Sequence, residues 1–335
     1  MNKLVEEDAI NITKQFDMSV FNNKTVLVTG ATGLIGSLCV RSLLASDYDI
    51  KVLALVRNED KARKMFGKNN NLELLVQDIQ TPITTSKHAD YIIHTASTTA
   101  SKDFVEKPVE TILTAIKGTY NVLEYAQKTT CSGLVYLSSL EVYGIPPKEI
   151  VTEKDYGFIE ILTPRGSYPE SKRMVENLCI SYGSEYGVPV KIARLTQTFG
   201  AGVTKADNRV FAQFAKSVID KKDIVLHTQG RTKRCYCYTT DAITAIYTIL
   251  TKGENNTAYN VANKNTYISI YDMAKSLENE NTKVAIEADS KDHGYNPEMQ
   301  ICLDTQKLEG LGWSAQTPLD EMFKRLISSM EEDDA

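Results

Sequence analysis

The sequence predicts an α/β fold, a doubly wound parallel sheet covered on both faces by helices, with a smaller mixed α/β lobe. Short apolar, β-branched runs alternate with longer amphipathic stretches. The runs are nearly continuous rather than period two, as in strands buried on both faces. The chain has 335 residues, and at about 150 residues per domain this suggests two domains or one large unit with a lobe. Apolar residues make up 42% and charged residues 24%, which excludes wholesale disorder, collagen and coiled coil. A net charge of −5 argues against a nucleic-acid protein relying on a general positive field.

Residues 1–22 read as a short polar helix and linker. Their first ten residues, MNKLVEEDAI, carry acids where a signal peptide would carry an apolar core. No apolar run reaches the roughly 18 residues of a membrane span, and a cytoplasmic location is expected. Strand-like runs follow at Thr25–Thr29, Val52–Val56, Leu72–Val76, Tyr91–His94 and Gly133–Leu137, with helical pattern at Leu34–Ala45 and 105–128. A long helix is predicted from Tyr168 to Tyr186, then a strand at Val188–Ala193. Beyond it the pattern gives a helix over 209–221, short strands near 223–227 and 234–238, a helix from Asp241, and an amphipathic helix from Leu319 to Ser329. The expected division is a nucleotide-binding unit over 23–187, a mainly substrate-binding lobe over 188–330, and an acidic tail at 331–335. The boundary is soft and allows the chain to cross between lobes.

Six cysteines, Cys39, Cys131, Cys179, Cys235, Cys237 and Cys302, form no CxxC pair. Reduced thiols are the expectation, with no metal site, because the other ligands of a tetrahedral zinc are not visible.

Gly30-Ala31-Thr32-Gly33-Leu34-Ile35-Gly36 joins the first predicted strand to the first helix of the sheet. Glycines at G-x-x-G-x-x-G allow a tight turn and close backbone approach, and the helix N-terminus offers N–H groups to a pyrophosphate. In that context the loop points to a Rossmann-type dinucleotide site including Gly30, Thr32, Gly33, Leu34, Ile35 and Gly36. A carboxylate holding the ribose hydroxyls of NAD is expected about 20 residues further on. The second strand ends instead in Val56-Arg57-Asn58. Arg57 fits the 2′-phosphate of NADP, stacks on adenine, or is a solvated loop residue. Asp78 suits the adenine amino group or a turn.

Tyr168-Pro169-Glu170-Ser171-Lys172 places a tyrosine and a lysine on one helix face. A tyrosine whose pKa is lowered by its surroundings acts as acid–base at neutral pH, and lysine supports that role. Leu137-Ser138-Ser139-Leu140-Glu141-Val142-Tyr143-Gly144 follows the fifth strand, at the carboxyl edge where parallel sheets carry their sites. There Ser139 is placed to hydrogen-bond a reacting hydroxyl and Glu141 to supply a second acid–base group. Each is also compatible with a turn.

Together these segments resemble the extended short-chain dehydrogenase/reductase superfamily over about residues 23–325. Late segments agree, namely Ala258-Tyr259-Asn260-Val261-Ala262-Asn263, and Leu303-Asp304-Thr305-Gln306-Lys307-Leu308 before Leu311-Gly312-Trp313. Within it the chain resembles the nucleotide-sugar epimerase, dehydratase and decarboxylase branch. Pro164-Arg165-Gly166-Ser167-Tyr168-x-x-Ser171-Lys172-Arg173, Asp207-Asn208-Arg209-Val210, and Arg234 before Tyr238-x-x-Asp241 are most similar to UDP-glucuronate decarboxylases.

The resemblance implies tightly bound NAD, oxidation of a nucleotide sugar at its 4-position, a 4-keto intermediate and often return of the hydride. Tyr168, Lys172, Ser139 and Glu141 become the catalytic set. Ile79, Thr95, Ala96 and Lys172 join the cofactor site, and Ser97, Glu141, Arg165, Tyr168, Gln197, Arg209, Val210 and Arg234 the substrate site. Arg165 and Arg234 suit a carboxylate or diphosphate, or a structural ion pair. Dehydratases of this kind carry an Asp-Glu pair, whereas the chain has Leu140-Glu141; simple 4-epimerases usually lack the Glu. The chain departs from the pattern at Ala115, Gln197 and Ala201. Rival readings are a dTDP-glucose 4,6-dehydratase, a UDP-sugar 4-epimerase, an NADPH-dependent carbonyl reductase favoured by Arg57, and a non-catalytic cofactor-binding regulator. A homodimer through the helices near 105–128 and 168–186 is a further implication, with neither nucleic acid nor membrane as partner.

Overall fold

The computed structural model describes residues 2–287 and 298–332. The strands are β1 (Lys24–Thr29), β2 (Ile50–Val56), β3 (Leu72–Val76), β4 (Tyr91–His94), β5 (Gly133–Ser139), β6 (Ile150–Val151) and β7 (Val190–Leu195). They continue as β8 (Gln197–Phe199), β9 (Ile224–Leu226), β10 (Lys233–Tyr238), β11 (Thr257–Val261), β12 (Asn263–Ser269), β13 (Val284–Ile286) and β14 (Gln300–Leu303). The helices are α1 (Lys3–Gln15), α2 (Leu34–Leu44), α3 (Glu59–Phe66), α4 (Ser101–Glu106), α5 (Pro108–Thr129) and α6 (Ser167–Tyr186). After these come α7 (Val210–Ile219), α8 (Thr239–Lys252), α9 (Ile270–Lys275), α10 (Gln306–Glu309) and α11 (Leu319–Glu332).

Seven parallel strands form the central sheet in the order β11-β7-β5-β4-β1-β2-β3. Alternation within each apolar run explains why both faces are dry. Val26, Val28, Val52, Ala54 and Val56 meet α1, α2 and α8 on one face. Leu27, Leu53, Leu55, Ile92 and Ile192 meet α5 and α6 on the other. The order reverses between β1 and β4, so a crevice opens at the carboxyl ends of those strands, where ligands bind in open α/β sheets. A smaller sheet in the order β12-β10-β14-β6, with β8 beside β10, lies over that edge with α7, α9 and α11.

Several boundaries differ from those read in the sequence. β7 and β11 both lie beyond residue 187 yet belong to the central sheet, so the chain returns to the first unit twice. The helix expected over 105–128 is two helices, because Pro108 has no N–H to continue α4 and instead occupies the first turn of α5. The strand expected from Val188 begins at Val190, after Gly187 ends α6 in a left-handed conformation. Helix α11 runs through Glu331 and Glu332, where a tail is expected; residues 333–335 of that tail lie outside the described residues.

The N-terminal segment is part of the fold rather than a linker. Ala9 and Ile12 of α1 are fully buried, and Asp8 accepts hydrogen bonds from Tyr238 Oη at 2.7 Å and Arg325 Nη2 at 2.8 Å. Burial raises the Asp8 carboxyl to about 6 against the opposing pull of those two partners. Among the described residues, no helix is long and apolar enough to cross a membrane, and no group of three or more His, Cys, Asp or Glu side chains could hold a metal ion.

Candidate active site

One cavity of about 1170 Å³ runs along the carboxyl edge of the sheet, from the glycine loop to the smaller lobe. Every residue expected to bind cofactor or substrate, or to act in catalysis, lines it except Val210. Val210 begins α7 and packs into the apolar cluster of the smaller lobe instead. Its neighbour Arg209 does reach the cavity, held by both carboxylate oxygens of Asp207.

The glycine loop has the shape a pyrophosphate needs. Gly30 takes φ +64°, and a Cβ there would lie 2.8 Å from the Ala96 backbone. A Cβ on Gly36 would lie 2.3 Å from the Gly30 carbonyl oxygen. Gly33 caps α2 without any side-chain hydrogen bond, so the first amides of the helix open to the cavity. These residues fit a dinucleotide diphosphate. Gly36→Ala is therefore expected to weaken dinucleotide binding by at least about 100-fold, since the loop cannot keep its path with a methyl group there. Calorimetric titration checks this, and unchanged affinity would refute the cradle.

Elsewhere along the cavity wall, α6 delivers Tyr168 and Lys172 from its first two turns. The Tyr168 ring stacks on Phe104 of α4 with centroids 4.0 Å apart and planes 11° off parallel. Phe104 has no signal in the sequence, because the contact depends on where α4 lands. Lys172 is 3% exposed. Its Nζ donates to the Leu137 carbonyl at 2.7 Å and lies 4.7 Å from the Tyr136 ring centre. Burial brings the Lys172 ammonium down to about 8.

For Tyr168 the sequence expectation of a lowered pKa is corrected. Burial raises the phenol above its ordinary value, and the Glu141 carboxylate adds to this. The Ser139 hydroxyl, hydrogen-bonded to the phenol, and the Arg165 and Arg209 charges pull the other way. The cause is that desolvation always disfavours the charged form, and for a phenol the charged form is the base.

Ser139 ends β5 and caps the short helical turn over 140–143, its Oγ accepting from the Glu141 amide at 3.2 Å. This turn aims Glu141 at the cavity. Arg173 of α6 braces it, donating to the Val142 carbonyl at 2.7 Å and the Gly157 carbonyl at 2.7 Å. Glu141 is not free. Arg165 Nη2 reaches its two oxygens at 2.9 and 2.7 Å, and the guanidinium rests on the Phe104 ring. Of the readings open for Arg165, this geometry displays the ion pair.

Arg234 differs. It lines the cavity from β10, and its Nε is buried without a hydrogen-bond partner. Gln197 Oε1, on the adjacent β8, is likewise buried and unpartnered. Buried orphan donors and acceptors are rare because each costs about 1–3 kcal/mol. Both residues line the cavity, to whose wall they add a guanidinium and an amide. The Cys235 Sγ lies 3.2 Å from Cys302 Sγ behind this wall, and neither is in a disulfide.

On the β2 and β3 side of the cavity, Arg57 directly follows β2 and Asp78 follows shortly after β3, with Ile79 next to it. The Asp78 carboxylate accepts from the Gln80 amide at 2.8 Å, the turn role left open for it. Ser97, Thr95 and Ala96 follow β4; the Thr95 hydroxyl donates to the Thr29 carbonyl at 2.7 Å and so anchors that segment to the glycine loop.

A glycine cradle at the switch point and a Ser139, Tyr168 and Lys172 set, the last two buried, define a Rossmann-fold enzyme of the short-chain dehydrogenase/reductase type. Residues 26–262 match the family described as "NAD dependent epimerase/dehydratase family", and the chain belongs to that family. It is 25% identical to UDP-glucuronic acid decarboxylase 1 of Danio rerio over 337 residues, covering 98% of this chain and 78% of that one. Among solved structures it is similar to an epimerase of Methanothermobacter thermautotrophicus, with TM-score 0.82, 22% identity and 96% of each chain covered. It is also similar to the UDP-glucuronic acid 4-epimerase of Bacillus cereus in complex with NAD, with TM-score 0.74, 21% identity, and 92% and 99% covered.

Proposed function

We propose that the protein converts a nucleotide sugar through a 4-keto intermediate, in the manner of a UDP-glucuronate decarboxylase. The observation that carries this is that one cavity is lined together by the Ser139, Tyr168 and Lys172 set, the glycine cradle, and Arg234 and Gln197. A nicotinamide, when bound, supplies reversible hydride acceptance. The chain does the rest. Tyr168 Oη takes the proton of the sugar 4-hydroxyl, Ser139 aligns that hydroxyl, and the buried Lys172 ammonium stabilises the phenolate.

A ketone at C4 is an electron sink for the bond to a carboxylate on C5. When that bond breaks, its electron pair enters the enolate and CO2 departs; C5 then takes a proton, and as C4 regains its hydride Tyr168 returns the proton it took to the 4-oxygen. Arg234 is the guanidinium offered to the carboxylate or the diphosphate, because its Nε has no partner among the described residues whereas Arg165 is engaged by Glu141. The same ion pair supports a second reading. With Glu141 and Arg165 neutralising each other, the pocket also suits a neutral sugar, whose fate is epimerisation at C4. Loss of water is disfavoured, since Leu140 stands where a proton donor is needed and is 6% exposed.

Mass spectrometry after separate incubation with UDP-glucuronate, UDP-glucose and dTDP-glucose, with dinucleotide supplied, tests these readings. Loss of CO2 from UDP-glucuronate is the expected result. Loss of water from a neutral sugar, or an epimer seen by NMR without mass change, overturns the decarboxylase assignment. No conversion of any sugar favours the non-catalytic alternative.

A further inference from the structure

We propose that the adenosine end of the cavity is built for a 2′-phosphorylated dinucleotide, with Arg57 and Lys61 holding the phosphate. This rests on the reading that the glycine loop binds a dinucleotide. Arg57 directly follows β2, and Lys61 lies in the first turn of α3. Both line the same cavity as Gly30 and Gly33. Both side chains are exposed, and neither has a partner among the described residues.

The neighbouring groups do not offset them. Glu59 is paired with Arg63 at 2.5 Å, and neither Glu59 nor Asp60 borders the cavity. The Asn58 side-chain oxygen accepts from the Lys61 amide at 2.8 Å and so caps α3, and Asn58 does not border the cavity. A free ribose diol needs an acceptor here, usually a carboxylate at the end of the second strand. Arginine and lysine carry donors only, and their complement is a phosphate. Asp78, just after β3, is a carboxylate at this end of the cavity that can serve an unphosphorylated ribose, and it supplies the rival outcome.

Calorimetric titration of the purified protein with NADP+, NAD+, adenosine 2′,5′-bisphosphate and 5′-AMP decides between them. The 2′-phosphorylated member of each pair is expected to bind at least about tenfold more tightly, a difference of about 1.4 kcal/mol. Arg57→Asp is expected to invert the preference, and Lys61→Ala to reduce it several-fold while leaving NAD+ affinity unchanged. Equal affinities, or a ratio untouched by Arg57→Asp, overturn the proposal and leave the dinucleotide reading standing. Failure of all four to bind removes both. Because both residues are exposed and unpartnered, neither variant threatens folding.

Discussion

Tyr168→Phe is expected to lower turnover about 1000-fold, in the range of a lost general acid–base group. Phenylalanine keeps the ring, so the stack on Phe104 at 4.0 Å survives and the fold is undisturbed. What disappears is the hydroxyl, and with it the bond to Ser139. Dinucleotide affinity is expected to stay within about threefold, since the contacts of the glycine cradle are untouched. Stopped assays with the converted sugar, together with titration of the dinucleotide, separate the two quantities. A variant with full activity would sink the mechanism. A variant that loses binding and turnover together would make Tyr168 a structural residue.

Lys172→Met should separate activity from stability. Turnover falls by about 100-fold, because the ammonium beside Tyr168 no longer favours the phenolate. Stability moves the other way below pH 8. Burial depresses the Lys172 pKa from an ordinary 10.5 to about 8. The unfolded chain therefore binds more protons than the native one between those values, and wild-type stability rises with pH across that window. Below pH 8 the buried charge costs about 3 kcal/mol at 1.36 kcal/mol per pKa unit. Leaving the Leu137 carbonyl without its donor returns about 1 kcal/mol of that gain. The variant is expected to exceed wild type by about 2 kcal/mol at pH 7, with the advantage vanishing toward pH 10.5. Urea unfolding at both pH values measures the gap; a gap that does not change with pH contradicts the buried-charge account.

The arginines of the cavity show where sequence reading stops. That Arg165 and Arg234 are candidate anion ligands follows from residue type, but their different states follow from neighbours. Arg165 meets Glu141 across 24 residues of chain, whereas Arg234 finds no partner for its Nε. The same holds for Val210, adjacent to a cavity residue yet turned into the apolar cluster by the start of α7. Motif adjacency does not determine which way a side chain faces at a helix start.

By itself the sequence determined the parallel sheet, the glycine loop at its first crossover, and the Ser139, Tyr168 and Lys172 set. These are local properties: apolar periodicity selects buried strands, a missing Cβ permits the loop, and a spacing of four puts two side chains on one helix face. Only the tertiary structure decided that β7 and β11 return to the first sheet and that α1 is part of the core. It also decided that Phe104 lies under Tyr168, and that burial raises the tyrosine's pKa while lowering the lysine's. The reason is physical. Burial, ion pairing and desolvation depend on groups far apart in the chain, and their balance exists only once the chain has brought them together.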